Sequence, residues 1–254
     1  MSDQERIRHR QGKVRIRHGV PYSDRDTTLS LLPGAAMGEW LHRNSHVVVG
    51  VLLDAGCGNQ PFADWYDAQV ERVVALDAAP LEGVSVLGFA DQLPFRAGSF
   101  DTVLCTEVLE HVTNAERACA ELFRVLRPGG HLLVTVPYLY PTHEAPYDFR
   151  RFTHYGLRSL LERHGLEVVS LDAKGGPALL LAHYVVLAVQ AGLEALGSVL
   201  GRPITRMRAI RWLLAAPLEM AIALRRRRSR PPGVRGPATR VSLGYMAVAR
   251  KPDA

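Results

Sequence analysis

The sequence predicts an α/β chain organised on a doubly wound parallel sheet. Three observations carry this expectation. First, the apolar run Val47–Asp54 ends in an acid, and Gly56–Cys57–Gly58 comes directly after it. Such a run reads as a strand buried on both faces, and the glycines stand where a strand turns sharply into a helix and bare backbone can meet a ligand. Second, strand-like and helical segments alternate as far as Leu171. Third, the first two strands both end in acids, Asp54 and Asp77.

Taken in order, residues 1–20 read as a mobile arm, and Asp24–Arg43 as a helix interrupted by Pro33–Gly34 that covers the ligand or packs on the sheet. Val47–Asp54 is strand one, and Pro61–Gln69 is a short helix with proline in its first turn. Arg72–Asp77, Val84–Ala90 and Phe100–Thr106 are strands two to four. Asn114–Leu126 is a helix that Arg127–Pro128–Gly129–Gly130 stops, before strand five at His131–Val136. Leu157–His164 is a helix closed by Gly165, and Leu166–Leu171 is strand six. Pro177–Leu200 is strongly apolar but carries His183, Gln190 and Glu194, and Ile210–Leu224 reads as a second apolar helix. Pro231–Pro232–Gly233 marks a flexible link, and Arg240–Arg250 a last strand.

At 254 residues and 47% hydrophobic, the chain can bury the core of one ordinary domain with an appended element. The divisions expected are an arm and covering helix at 1–46, a ligand-binding core at 47–176, a helical insert at 177–235 and a final core strand at 236–254. Cys57, Cys105 and Cys119 form no disulfide framework and read as packing residues. Met1–Val20 lacks an apolar signal core, so a cytoplasmic setting is expected, with membrane contact through the insert left open. The net charge of +6 is uneven: residues 202–235 hold ten arginines against one acid, while residues 19–201 hold 12 bases against 21 acids. Basic flanks suit an anionic partner or are simply solvated. No RNA-binding module is recognisable, which argues against nucleic acid as the partner.

The glycine loop gains meaning from the acids downstream of it. Asp77, with Ala78 beside it, lies 23 residues after Asp54, where a carboxylate can accept from two ribose hydroxyls. Asp91 lies beyond strand three and can accept from an adenine amino group, with Gln92 and Leu93 flanking the ring. No Lys–Ser/Thr succeeds the glycines, so a phosphate-cradling loop is excluded.

The ordered set Leu52–Gly58, Asp77, Asp91–Phe95, Ser99–Asp101, Glu107–Val112 and Leu126–Gly130 resembles class I S-adenosylmethionine-dependent methyltransferases over roughly residues 47–172. The resemblance implies a Rossmann-like sheet of seven strands, the last antiparallel, with a helical insert before it. It implies S-adenosylmethionine as cofactor, with Asp54 and Cys57 in its site, Gly56 and Gly58 at the methionine part, Asp77 and Ala78 at the ribose and Asp91, Gln92 and Leu93 at the adenine. Thr106 and Glu107 would line the sulfonium. Gln60–Pro61 stands where the family often has a third glycine, a variant similar to methyltransferases of saccharide and natural-product pathways.

Methyl transfer to a hydroxyl needs positioning and removal of a proton. The loop 137–153 is dense in aromatic and charged side chains and lies after strand five on the ligand edge. His143 is the expected general base, Asp148 its orienting partner, and Arg150 or Arg151 a holder of an anionic substrate. Asp148 and the arginines can instead form a structural ion pair. His111 is a further catalytic candidate. No metal ligand is assigned, although Glu107, Glu110 and His111 share a helical face that His143 could complete, as in metal-assisted methyltransferases acting on quinols or small RNAs. The expected activity is O-methylation of a small-molecule, saccharide or lipid-linked acceptor in a biosynthetic pathway. A non-catalytic docking module on the same fold stays open. The insert, some 59 residues where relatives have a short loop, is expected to form a cap or homodimer interface, with membrane docking as the alternative.

Overall fold

The computed structural model describes residues 14–17, 20–23, 27–66, 70–199, 201 and 241–253. Strands β1 (Val14–Arg17) and β2 (Val20–Ser23) pair as an antiparallel ribbon, so part of the expected arm is ordered. Helix α1 (Thr27–Arg43) comes next and carries Pro33 within it. The second apolar helix at Ile210–Leu224 and the link at 231–233 lie outside the described residues, as do the first 13 residues and Asp24.

The main sheet holds seven strands: β3 (Val51–Ala55), β4 (Arg72–Asp77), β5 (Val86–Leu87), β6 (Phe100–Thr106), β7 (Leu126–Pro137), β8 (Glu167–Ala173) and β9 (Gly244–Arg250). Their order is β5-β4-β3-β6-β7-β9-β8, with β9 antiparallel to both neighbours. The expected seven-stranded doubly wound sheet with an antiparallel last strand is therefore present. Chain order reverses direction between β3 and β6, which opens a crevice at their carboxyl ends.

Several boundaries differ from expectation, three of them instructively. Val47–Val49 is not strand: Ser45–Val47 forms a 3-10 turn, and Gly50 sits at φ +62°. Side chains of β6 take up this entry, since the Thr102 hydroxyl accepts from the Val49 amide at 3.1 Å and Asp101 from the Val51 amide at 2.8 Å. A Cβ on Gly50 would stand 2.3 Å from Asp101 Oδ2, so the turn needs glycine. Strand three shrinks to two residues. The Pro128–Gly129–Gly130 stop ends the helix but is absorbed into β7, because Leu126 already pairs with Phe100 and Gly129 and Gly130 bond to Lys251.

Alternation along the strands splits the core into two faces. Leu53, Val103, Leu132 and Ala247 meet helices α3 (Ala115–Val125) and α4 (His154–Arg163), while Leu52, Leu104, Leu133 and Met246 meet α1 and the short helix α2 (Ala63–Tyr66). Asn114 caps α3 by accepting from the Arg117 amide, and the Thr153 hydroxyl caps α4 by accepting from the Gly156 amide. Helix α3 buries Leu122 and Val125 completely, each a contribution of about 1.5–3 kcal/mol that chain ordering opposes. The apolar run at Pro177 forms helix α5 (Pro177–Val199), whose burial is confined to a few residues, His183 and Gly197 among them.

Candidate active site

The crevice edge is built first from the loop after β3. Gly56 and Cys57 donate their amides to the Leu76 carbonyl, which folds the loop back on β4. Gly56 stands at φ +76°, Gly58 at +55° and Gln60 at +49°. A Cβ on Gly56 would meet Val108 at 2.3 Å, whereas no heavy atom lies within 4 Å of one on Gly58. The loop is thus packed on one side and open on the other. Asp77, buried at the tip of β4, accepts from the Gly58 amide and the Ala79 amide, each at 2.9 Å. Asp54 lies inside the sheet, where its carboxylate accepts from the Tyr66 hydroxyl at 2.9 Å, and burial, with Asp77 nearby, pushes its pKa up to about 7. Asp91 is half-buried without a hydrogen-bonding partner among the described residues, and Gln92 is exposed. Leu93 does not stand free to flank a ring: it is 4% exposed within the core under α3. Phe89, 39% exposed beside Gln92, is an open apolar side chain of this edge, as is Leu87. Cys57 and Cys105 are buried, and burial lifts both thiols above their usual range, as packing residues should behave.

Thr106 ends β6 beside Thr135. The next residue, Glu107, turns at φ +53°, a conformation that costs a residue with a side chain energy and is held here by its surroundings. Its amide reaches the Thr135 carbonyl at 3.0 Å, and its carboxylate accepts from Thr135 Oγ1 at 2.8 Å and from Lys174 Nζ at 2.5 Å. Burial alone would raise the Glu107 carboxyl, but the Lys174 ammonium and the two hydrogen bonds hold it below the usual range. Lys174 was not singled out from the sequence. The available signal was its rarity, one of three lysines, directly after strand six.

The loop after β7 closes over this turn. His111 Nδ1 donates to the Tyr147 carbonyl at 2.8 Å, and His111 Nε2 lies 3.0 Å from His143 Nε2. His143 Nδ1 faces Asp148 Oδ2 at 3.2 Å, and Asp148 also accepts from the His143 amide. Arg151 clamps Asp148 and reaches the carbonyls of Tyr140 and Pro141. Arg150 donates to the Thr113 carbonyl. Arg151 is therefore committed to the loop itself rather than presented to an anionic substrate, because a loop of this polarity needs internal donors for its carbonyls, whereas Arg150 Nη1 is buried without a partner among the described residues. Burial works to raise the Asp148 carboxyl, yet Arg151 and the His143 amide bring it down to about 2. Burial works to lower His143, and Glu110 and Asp148 outweigh it, so its pKa lies above the usual imidazole value. Glu110 Oε1 stands 3.7 Å from both His Nε2 atoms, is fully buried, and neither of its carboxyl oxygens has a hydrogen-bond donor among the described residues. Helix α5 touches the same loop: His183 stacks on Tyr140, 5.1 Å between centroids, and Tyr140 meets His143 edge-on.

A family profile described as "Methyltransferase domain" matches residues 53–134. A protein of Mycolicibacterium smegmatis named as a probable S-adenosylmethionine-dependent methyltransferase is 30% identical over 188 residues, which cover 59% of this chain and 73% of that protein. The chain belongs to the class I S-adenosylmethionine-dependent methyltransferases. A ubiquinone biosynthesis O-methyltransferase of Xanthomonas oryzae pv. oryzae is 35% identical over 102 residues, 33% of this methyltransferase but only 41% of that relative. Among solved structures, the 1,6-didemethyltoxoflavin-N1-methyltransferase of Burkholderia thailandensis, with bound S-adenosylhomocysteine, shares the fold at TM-score 0.53 and 18% identity, covering 91% of this chain and 82% of that one.

The residues of this methyltransferase fit its cofactor. The ground in front of Gly58 is open at the crevice, and Asp77 stands behind it and Asp91 beyond, the latter with its acceptor oxygens unengaged among the described residues.

Proposed function

We propose that this methyltransferase methylates a hydroxyl oxygen of a small-molecule, saccharide or lipid-linked acceptor. The observation that carries the reading is the juxtaposition, on one sheet edge, of the open glycine loop and the proton-bearing chain Tyr147–His111–His143–Asp148, joined through the strained turn at Glu107. Gly56 and Gly58 would lie along the methionine part, Asp77 and Ala78 at the ribose, Asp91 at the adenine, and Thr106 and Glu107 beside the sulfonium. Bound there, S-adenosylmethionine supplies an electrophilic methyl group. The chain's own residues do the rest. Lys174 fixes the Glu107 carboxylate at the crevice, so that the acceptor meets acceptor oxygens in a defined place. The His111–His143 pair lies where a hydroxyl proton can be handed on, and Asp148 holds the His143 ring in place. An O-methyltransferase among the relatives supports an oxygen acceptor.

Calorimetry with S-adenosylhomocysteine and product analysis with isotopically labelled donor test this. Asp77→Ala is expected to weaken S-adenosylhomocysteine by about tenfold or more. Unchanged binding removes Asp77 from the site, and a methylated nitrogen or carbon in the product rejects the oxygen acceptor.

A second observation bears on where the acceptor lies. Helix α5 is 23 residues long and apolar enough to cross a membrane, yet little of it is buried, and Leu181, Val185 and Val199 are exposed. Residues 202–235, with their ten arginines, come soon after it. We read the 177–235 insert as an element that rests on an anionic membrane surface, with His183 and Tyr140 linking it to the site loop, and vesicle flotation as its measure.

A further inference from the structure

We propose that Glu121 and Arg124, on helix α3, are positioning residues for the adenine end of the cofactor site: they hold the backbone at Leu93 and Phe95 and so fix where Asp91 stands. Arg124 commits each of its nitrogens. Nε donates to Glu121 Oε1 at 2.7 Å, Nη2 to Glu121 Oε2 at 2.7 Å and to the Leu93 carbonyl at 3.0 Å, and Nη1 to the Phe95 carbonyl at 2.7 Å. Glu121 Oε2 also accepts from the Leu93 amide at 2.9 Å. The amide and the carbonyl of Leu93 are therefore both held by one turn of α3.

Asp91 lies between two such ties. It stands in a tight turn that the Gln92 amide closes on the Phe89 carbonyl at 3.0 Å. On the near side of that turn, the Gly88 amide donates to the carbonyl of Asp77, at the tip of β4, at 3.0 Å. On the far side comes Leu93, with its bonds to Glu121 and Arg124. Pro94 follows and brings no amide of its own, so side chains of α3 supply the anchorage that a backbone ladder would give elsewhere. Phe95 is set edge-on against Phe100 of β6, 5.0 Å between centroids. Asp91 and Leu93 are at most about 7 Å apart along the chain, so a shift of Leu93 is passed to Asp91. The Asp91 carboxylate has no hydrogen-bond donor among the described residues, and its place is set by its backbone.

The pair does more than join two points of one helix. The Arg124 and Glu121 side chains are 35% and 20% exposed, and a part-exposed ion pair contributes little to stability by itself. What it adds is direction: a planar guanidinium meets a carboxylate through two parallel bonds and still has donors for two carbonyls, which an ammonium cannot reproduce. Hydrogen bonding to Arg124 holds the Glu121 carboxyl below its usual range, so the arrangement stays charged through the neutral range. The recognition at stake is the 6-position of the purine. A carboxylate accepts from an amino group there and repels an oxo group, and it tells them apart only if it is held at hydrogen-bonding distance. The inference rests on the reading that Asp91 meets the adenine.

The test is calorimetry on the full chain with S-adenosylhomocysteine and with its analogue that carries a 6-oxo group in place of the 6-amino group. The parent chain is expected to prefer the amino ligand by about tenfold or more, and Asp91→Ala to abolish the preference. Arg124→Met, and Arg124→Lys, which keeps the charge without the planar fork, should each bring the preference down to about threefold or less. Glu121→Gln keeps the side-chain volume and should act in the same direction, so the outcome does not depend on the fold of one variant. Asp91→Ala combined with Arg124→Met should lose no more than Asp91→Ala alone, because both act on one contact. A pair that serves stability only would lower the urea midpoint and leave the preference untouched. That result in the α3 variants, with the preference lost in Asp91→Ala, overturns the role of Glu121 and Arg124 alone. A parent chain without the preference, or an Asp91→Ala variant that keeps it, overturns the adenine reading of Asp91 and the proposal with it.

Discussion

At the scale of single residues, the two loop glycines do different work. Gly56 is closed in by Val108, and Gly58 faces open ground. A side chain in the left-handed region costs about 1–2 kcal/mol in either place. At Gly56 overpacking adds about 1–3 kcal/mol more. Gly56→Ala should therefore lower the urea midpoint clearly further than Gly58→Ala, while Gly58→Ala keeps its fold and loses S-adenosylhomocysteine affinity. Equal stabilities, or full affinity in Gly58→Ala, would contradict the arrangement. Asp148 offers a pH test. Its folded pKa of about 2 lies below its ordinary value of 3.8, so the stability it carries is complete above that ordinary value and drains as pH falls toward 2. Asp148→Asn should be less stable than the parent chain at neutral pH, and the gap should close between about pH 4 and 2. A gap that persists at pH 2 would show that the Arg151 pair is not its source. Residue chemistry was partly legible in advance. Gly56, Gly58, Asp77 and the ion-pair alternative for Asp148 can be read from residue type and order. Leu93 could not, because nothing in Asp91–Gln92–Leu93 says which side chain turns inward to α3.

At the scale of elements, α5 is the segment whose role the fold changes most. Its first turns press His183 onto Tyr140, where burial brings the imidazole down to about 4, so the ring stays neutral at physiological pH. Further along, Val185, Val189 and Leu196 are exposed. A helix apolar on most sides needs a cover, and an anionic lipid surface matches the arginines beyond it. Leu181→Glu with Val185→Glu should abolish flotation with anionic vesicles, and added salt should weaken flotation of the parent chain. A monomer that ignores vesicles would point to cover by the chain's own residues, and a dimer that the double substitution dissociates would point to a second copy. Periodicity placed this helix to within a residue at its end, since 23 largely apolar positions leave little choice. The short strand β5 was overread, since Val84–Ala90 is apolar enough to look like strand but only Val86 and Leu87 find a partner in β4.

At the scale of the whole molecule, seven strands hold two unlike halves of one site. The donor half is local in sequence: β3, its loop and the tip of β4 fall within about 30 residues. The proposed acceptor half is assembled from afar, with Glu107, Thr135, Lys174, His143 and His183 arriving from different elements. Sequence order by itself determined the doubly wound sheet, and the resemblance that its ordered motifs carry implied the antiparallel last strand and the methyl donor. These depend on strand periodicity and on motifs whose spacing is short and rigid. Only the tertiary structure decided that Lys174 neutralises Glu107, that Arg151 closes its own loop, and that Glu110 meets both histidines. Those pairings depend on which side chains a sheet edge brings together: His111 and His143 stand 32 positions apart in the chain and Glu107 and Lys174 stand 67 apart, distances that spacing along the chain does not encode.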